Sequence, residues 1–191
     1  MLNILRLHAF RDRLLIEEAP VSESITRPVP AATDFLTPAQ LFVQRAVRQL
    51  NDKQHNGAVI CVRRRRGEDP PKTILLMPIR AGVVRQEKWD QDAEFAQRKC
   101  DTLAGNRCIV TTYDVRDEKL EIYGGGVTTP NFDIAVSGFW PDSYDEAVAL
   151  TMAVHLQEMT PEAALAIAEK HGYKDVFARL FESSDTACSN D

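Results

Sequence analysis

Four consecutive arginines, Arg63, Arg64, Arg65 and Arg66, stand inside the stretch C-V-R-R-R-R-G-E-D-P-P-K. With Lys72, and against Glu68 and Asp69, they leave a local excess of three positive charges. Guanidinium groups stay charged and grip phosphate oxygens bidentately, so the run is a candidate anion-binding site for a nucleic acid or a phosphorylated partner. No aromatic residue is interleaved to stack on bases, as single-strand binders require. The plainer expectation is a solvated hairpin tip, whose charges end a strand and block edge-to-edge pairing. On that expectation, exchanging all four for serine costs no more than about 0.5 kcal/mol each.

The other groups able to do chemistry are scattered. The histidines are His8, His55, His155 and His171, with no two of them four residues apart, so no metal ligand set is expected. His155 follows Thr151 by one helical turn and precedes Gln157 and Glu158. Buried, it would titrate near neutrality and serve as a general base; a hydrogen-bonded core histidine is the simpler expectation. His171, just before Gly172, suits a helix C-terminus. The cysteines Cys61, Cys100, Cys108 and Cys188 form no C-x-x-C pair. Cys100 and Cys108 both fall on predicted buried faces, where a thiol behaves as a small hydrophobe rather than a nucleophile.

Y-G-G-G-V at 123–127 joins a predicted strand to another strand, not to a helix N-terminus. It therefore predicts a left-handed turn or bulge rather than a phosphate cradle. The acidic D-S-Y-D-E at 142–146 reads as a capped helix start. Just before it, Phe139 and Trp140 put two large aromatics at a strand end beside Pro141. They are candidates for the rim of a ligand pocket or a protein interface, or for a plug in the core. No catalytic residue, metal ligand or cofactor motif is assigned.

These groups have to be positioned by a regular series of elements. Thr37, Pro38 and Gln40 make a capping box, followed by an apolar stripe of Phe42, Val43, Ala46, Val47 and Leu50. Residues 58–62 and 73–79 read as a hairpin, with Val59 and Cys61 on one face and Ala58, Ile60 and Val62 on the other. A helix from Glu87 carries Trp89, Ala93, Ala96, Cys100 and Leu103 at helical spacing and ends at A-G-N. Strands are expected at 108–115, 119–123 and 132–139. Ser143 and Glu146 suggest a second capping box on a helix that is apolar nearly all round over 147–156. Thr160 and Pro161 open a shorter helix, and 173–182 reads as the last, with Val176, Phe177 and Leu180 inward.

The expected fold is α+β: an antiparallel five-stranded sheet with helices, in the order α-β-β-α-β-β-β-α, plus a C-terminal helical pair. That element order, over about residues 37–159, resembles the profilin-like architecture shared by roadblock-type and related small sensor domains. The expected division is an N-terminal arm and linker at 1–33, a body at 34–159, a helical extension at 160–184 and a tail at 185–191. Leu2, Ile4, Leu5 and Leu7 make the arm apolar enough to suggest a homodimer.

The 191 residues carry 44% hydrophobic and 27% charged residues, ordinary for one buried domain, and a net charge of −5 that disfavours a dedicated duplex-DNA binder. With no apolar run of membrane-spanning length and no disulfide pattern, no membrane association is expected, and the reducing cytoplasm is the expected compartment. The thin catalytic inventory favours a non-enzymatic accessory, regulatory or adaptor protein acting on a protein partner or a small ligand. The alternatives are a small enzyme centred on His155 or a cysteine, and an anion or nucleic-acid binder using Arg63–Arg66.

Overall fold

A computed structural model describes residues 30–50, 56–65, 72–81, 86–106 and 108–182. The expected arm, apart from its last four residues, and the expected tail lie outside the described residues, as does Arg66.

Helix α1 spans Leu36–Leu50 and buries Phe42, Val43 and Ala46, the stripe expected from their spacing. It starts earlier than the Thr37 box suggests. A 3-10 turn at Ala32–Phe35 runs straight into it, and the Asp34 carboxylate accepts the Ala31 N–H at 2.7 Å. Strands β1 (Gly57–Arg64) and β2 (Lys72–Arg80) pair antiparallel, with Ala58 opposite Ile79 and Cys61 opposite Leu76. Side chains alternate as anticipated. Val59 and Cys61 pack with Trp89, Ala96 and Cys100 of α2 (Gln86–Gly105), while Ala58, Ile60 and Val62 join the main core on the opposite face.

The sheet is completed by β3 (Gly126–Thr128) and β4 (Phe132–Ser137), in the order β2-β1-β4-β3 with every pairing antiparallel. Helix α2 covers one face. Helices α1 and α3 (Ser143–His155) cover the other, and α3 is buried from Ser143 to Val154, as an all-round apolar helix must be. The chain ends in α4 (Pro161–Lys170) and α5 (Lys174–Glu182). Thr160 caps α4 by accepting the Ala163 N–H at 3.2 Å, and Phe177 and Leu180 of α5 face inward.

The α+β class and the antiparallel sheet agree with expectation; the five-stranded, profilin-like order does not. Neither 108–115 nor 119–123 forms a strand. Short carboxylate side chains there take the backbone N–H groups a sheet ladder would have used. Asp114 accepts the N–H groups of Val110 and Thr111, both at 3.2 Å, beside a 3-10 turn at Thr112–Val115. Asp117 accepts the Lys119 N–H at 2.9 Å and leads a second such turn, Glu118–Leu120. Only single bridges remain, Thr111 to Val127 and Asp117 to Ile122. The edge strand comes instead from the glycine stretch. Cys108, expected inside, is exposed because this segment runs over the surface.

Candidate functional site

The first turn of α3 holds three buried carboxylates that point three ways. Asp142, Asp145 and Glu146 are 3%, 2% and 0% exposed. Carboxylates at a helix start ordinarily satisfy the terminal N–H groups. Here Asp142 makes no such side-chain cap. It accepts from the Tyr113 hydroxyl at 3.0 Å and the Gly124 N–H at 2.9 Å, and it pairs with Arg116 Nε at 3.1 Å. The expected explanation by capping and dipole is thus replaced by long-range partners.

Glu146 is the hub of the second direction. It accepts from the Gly125 N–H at 3.3 Å, from the Tyr173 hydroxyl, and from His171 Nδ1 at 3.0 Å. The other nitrogen of His171 faces Asp114 at 3.3 Å, and its ring stacks on Tyr113. Two ring nitrogens that both face carboxylate oxygens must both donate, so this histidine is held as imidazolium. The hydrogen bond to Glu146 raises its pKa from the ordinary 6.5. With no free lone pair it cannot act as a base. It does sit at the C-terminal end of α4, as its place in the sequence suggests. Burial opposes ionisation of Asp114, but hydrogen bonds from Lys170 and the Thr111 and Val110 amides prevail and bring it to about 2.

Asp145 takes the third direction, toward α2. It pairs with Lys99 Nζ at 2.9 Å, both side chains being at most 5% exposed, and it accepts the Phe139 N–H at 3.0 Å. Lys99 also donates to Val136 O at 2.6 Å. Burial pushes the Asp145 carboxyl up to about 6, against the pull of Lys99. The triple glycine follows from this crowding. A Cβ on Gly124 would lie 2.1 Å from the Tyr113 ring, and one on Gly125 (φ +109°) 2.5 Å from Asp145 Cβ. The glycines let backbone amides reach buried carboxylates, which accords with the left-handed turn expected and adds a reason for it.

The Lys99–Asp145 pair floors an open cleft of about 400 Å³ between the start of α2, the end of β4 and the turn before β3. Phe95, Tyr123, Phe139 and Trp140 supply its aromatic wall. A smaller hollow of about 250 Å³ adjoins it through Phe95, Lys99, Glu121 and Tyr123. Of the two aromatics singled out from the sequence, Phe139 is buried and Trp140 is 57% exposed on the cleft. The cleft also reaches Ser137, only 5% exposed, whose hydroxyl has no hydrogen-bond partner among the described residues.

No protein-family model, no curated protein and no solved structure matches this chain.

The remaining candidates lie elsewhere. His155 is exposed, at the last residue of α3, edge-on to Phe42 with ring centroids 5.8 Å apart. The general-base expectation required burial, and the helix register turns this residue outward where the core ends. Cys61 and Cys100 are buried, and burial pushes the Cys100 thiol up, which suits packing rather than attack. Among the described residues, no group of three or more His, Cys, Asp or Glu side chains could hold a metal ion, and no helix is long and apolar enough to cross a membrane.

The arginines are not a free tip. Arg63 and Arg64 are the last residues of β1, and Arg65 follows it. Arg63, its side chain 13% exposed, pairs with Asp101 of α2. Arg65 donates to Thr128 and lies 3.4 Å from Asp133, a fully buried carboxylate whose pKa burial raises. The expectation of a solvated tip is therefore corrected for these two. Arg65→Ser should cost about 1–3 kcal/mol, because it strips the cation from a buried carboxylate. Arg64→Ser should stay within about 0.5 kcal/mol. Urea midpoints of the single variants would check the contrast, and equal small losses at both positions would restore the solvated reading.

Sequence reasoning missed Lys99, Asp145 and Ser137. One signal was available: a helix apolar on every side leaves its own Asp145 and Glu146 nowhere to meet water, so both must find partners.

Proposed function

We propose that this chain is a non-enzymatic accessory or regulatory protein that works by binding a small ligand in the cleft at the end of β4. The observation that carries the reading is Trp140, an indole 57% exposed over a cavity onto which the Ser137 hydroxyl opens with no partner among the described residues. A large exposed aromatic beside polar groups that open on the same cleft is what a ligand site offers, since one supplies contact area and the other orientation. Binding is favoured over proton transfer because the ionised groups around the cleft are engaged in ion pairs. Lys88 pairs with Asp92, Lys99 with Asp145, Arg116 with Glu118 and Asp142, and Arg98 with Glu121. The internal engagement of Arg63 and Arg65 weakens the anion-binding alternative.

Titrating the chain with a panel of small aromatic fragments, followed by amide NMR, tests the reading. Shifts should cluster at Ser137, Gly138 and Tyr123, and Trp140→Ala should weaken binding about tenfold while leaving the urea midpoint in place. If no fragment moves those resonances, the cleft is not a ligand site.

A further inference from the structure

The cleft has a polarity. At its floor, Ser137 faces α2 from the last position of β4, opposite Val59; the residue is 5% exposed, and its hydroxyl opens on the cleft with no partner among the described residues. A hydroxyl that opens on a cleft without a protein partner is free to bond a polar group of whatever enters it. Next to it is Lys99, with three N–H donors and two acceptors, Val136 O and Asp145 Oδ2. The third donor has no acceptor among the described residues. The floor therefore offers two unused donors and asks for acceptor oxygens.

The mouth is the reverse. Glu118 and Glu121 line it with side chains 63% and 59% exposed. Over the whole lining, five carboxylates stand against the two ammonium groups of Lys88 and Lys99. Arg98 and Arg116, which pair with the two mouth glutamates, reduce that excess without reversing it. A simple anion would meet repulsion on the way to the floor donors, and a simple cation would leave those donors unused. Between floor and mouth, Phe95 and Tyr123 meet edge to face at 5.5 Å, and Trp140 is exposed beside them, an aromatic surface for a flat apolar body.

From this arrangement we infer that the cleft selects a small zwitterion on an aromatic body, of the aromatic amino-acid class, with its carboxylate on Ser137 and Lys99 and its ammonium toward Glu118 and Glu121. The volume, about 400 Å³, is at the small end of ligand pockets and suits an occupant of amino-acid size. The inference rests on the reading of the cleft as a ligand site.

The test compares L-tryptophan with two probes that each lack one charge: tryptamine, without the carboxylate, and indole-3-propionate, without the ammonium. Binding to the full chain is read from the amide shifts at Ser137–Trp140 and from calorimetry. L-tryptophan or L-phenylalanine should bind at least about tenfold more tightly than either single-charge probe. Ser137→Ala should weaken the amino acid and indole-3-propionate several-fold and leave tryptamine unchanged, a pattern that a mere loss of folding cannot produce. If tryptamine or indole-3-propionate binds as well as the amino acid, the zwitterion inference falls while the cleft remains a ligand site. If none of the probes or fragments shifts those resonances, the reading of the cleft falls and takes the inference with it.

Discussion

Glu146→Ala is expected to remove about 3–5 kcal/mol of folding stability, because it breaks a buried pair by deleting one partner. The side chain is fully buried and is shared by Tyr173, His171 and Gly125. Its loss leaves the Gly125 N–H and the Tyr173 hydroxyl unpartnered inside the fold and the His171 imidazolium dependent on Asp114 alone. Since His171 and Tyr173 belong to the junction of α4 and α5, the variant should also loosen that helical pair from α3. Glu146→Gln, which keeps an acceptor oxygen and the shape, should lose less, about 1–3 kcal/mol.

The pH dependence has a definite sign. The folded-state pKa of His171 is raised above its ordinary 6.5, so the stability it contributes is fully present below that value and is lost as the pH rises through the raised one. Wild-type urea midpoints should therefore decline from near-neutral to mildly alkaline pH, and Glu146→Ala should flatten the decline. A midpoint for Glu146→Ala within about 1 kcal/mol of wild type would mean that the knot is not what holds the two helices.

Lys99→Met is expected to cost a similar amount at neutral pH, about 3–5 kcal/mol, for a different reason. It leaves the Asp145 carboxylate buried with no counter-charge. That carboxyl already sits at about 6 with Lys99 in place, and without the ammonium its pKa must climb further. A raised folded-state pKa means that stability is retained at low pH and lost as the pH rises through the folded value. The gap between variant and wild type should thus be widest above the variant's raised value, and should close as the pH falls from that value to about 6. Lys99→Met combined with Asp145→Asn removes both charges and keeps an acceptor for the Phe139 N–H, so it should recover most of the loss. A pH-independent deficit, unrelieved in the double variant, would show that Lys99 acts through packing of its stem rather than through its charge.

Much of the scaffold was legible one residue at a time. The hairpin of β1 and β2, with Val59 and Cys61 on one face and Ile60 on the other, follows from a period of two that no tertiary contact overrules. Helices α2, α4 and α5 follow from the 3.6-residue period and their punctuation, and Thr160 caps α4 as its position before Pro161 requires. The segment 108–123 escaped because its β-branched and aromatic residues speak for strand, while Asp114 and Asp117 bind the backbone locally and win. Local propensity is a weak vote against a carboxylate already within reach.

The candidate site was legible only at its rim. Trp140 stood out because a large aromatic at the end of a strand is visible in any alignment of types along the chain, and so did the crowded glycines. The partners that give those residues meaning lie far off in sequence: Lys99 is 46 residues from Asp145, and His171 is 25 from Glu146. Composition could say that a helix without a polar face must bury its acids, but not which cation would come to meet them. The same distance effect turned the arginine run from a presumed solvated tip into two internal ties, since Asp101 and Asp133 reach Arg63 and Arg65 only once α2 and β4 are packed against β1. Periodicity is a property of neighbours and survives in the sequence, whereas the pairing of buried charges is chosen by packing, where a group removed from water must find its partner in whatever the fold brings near.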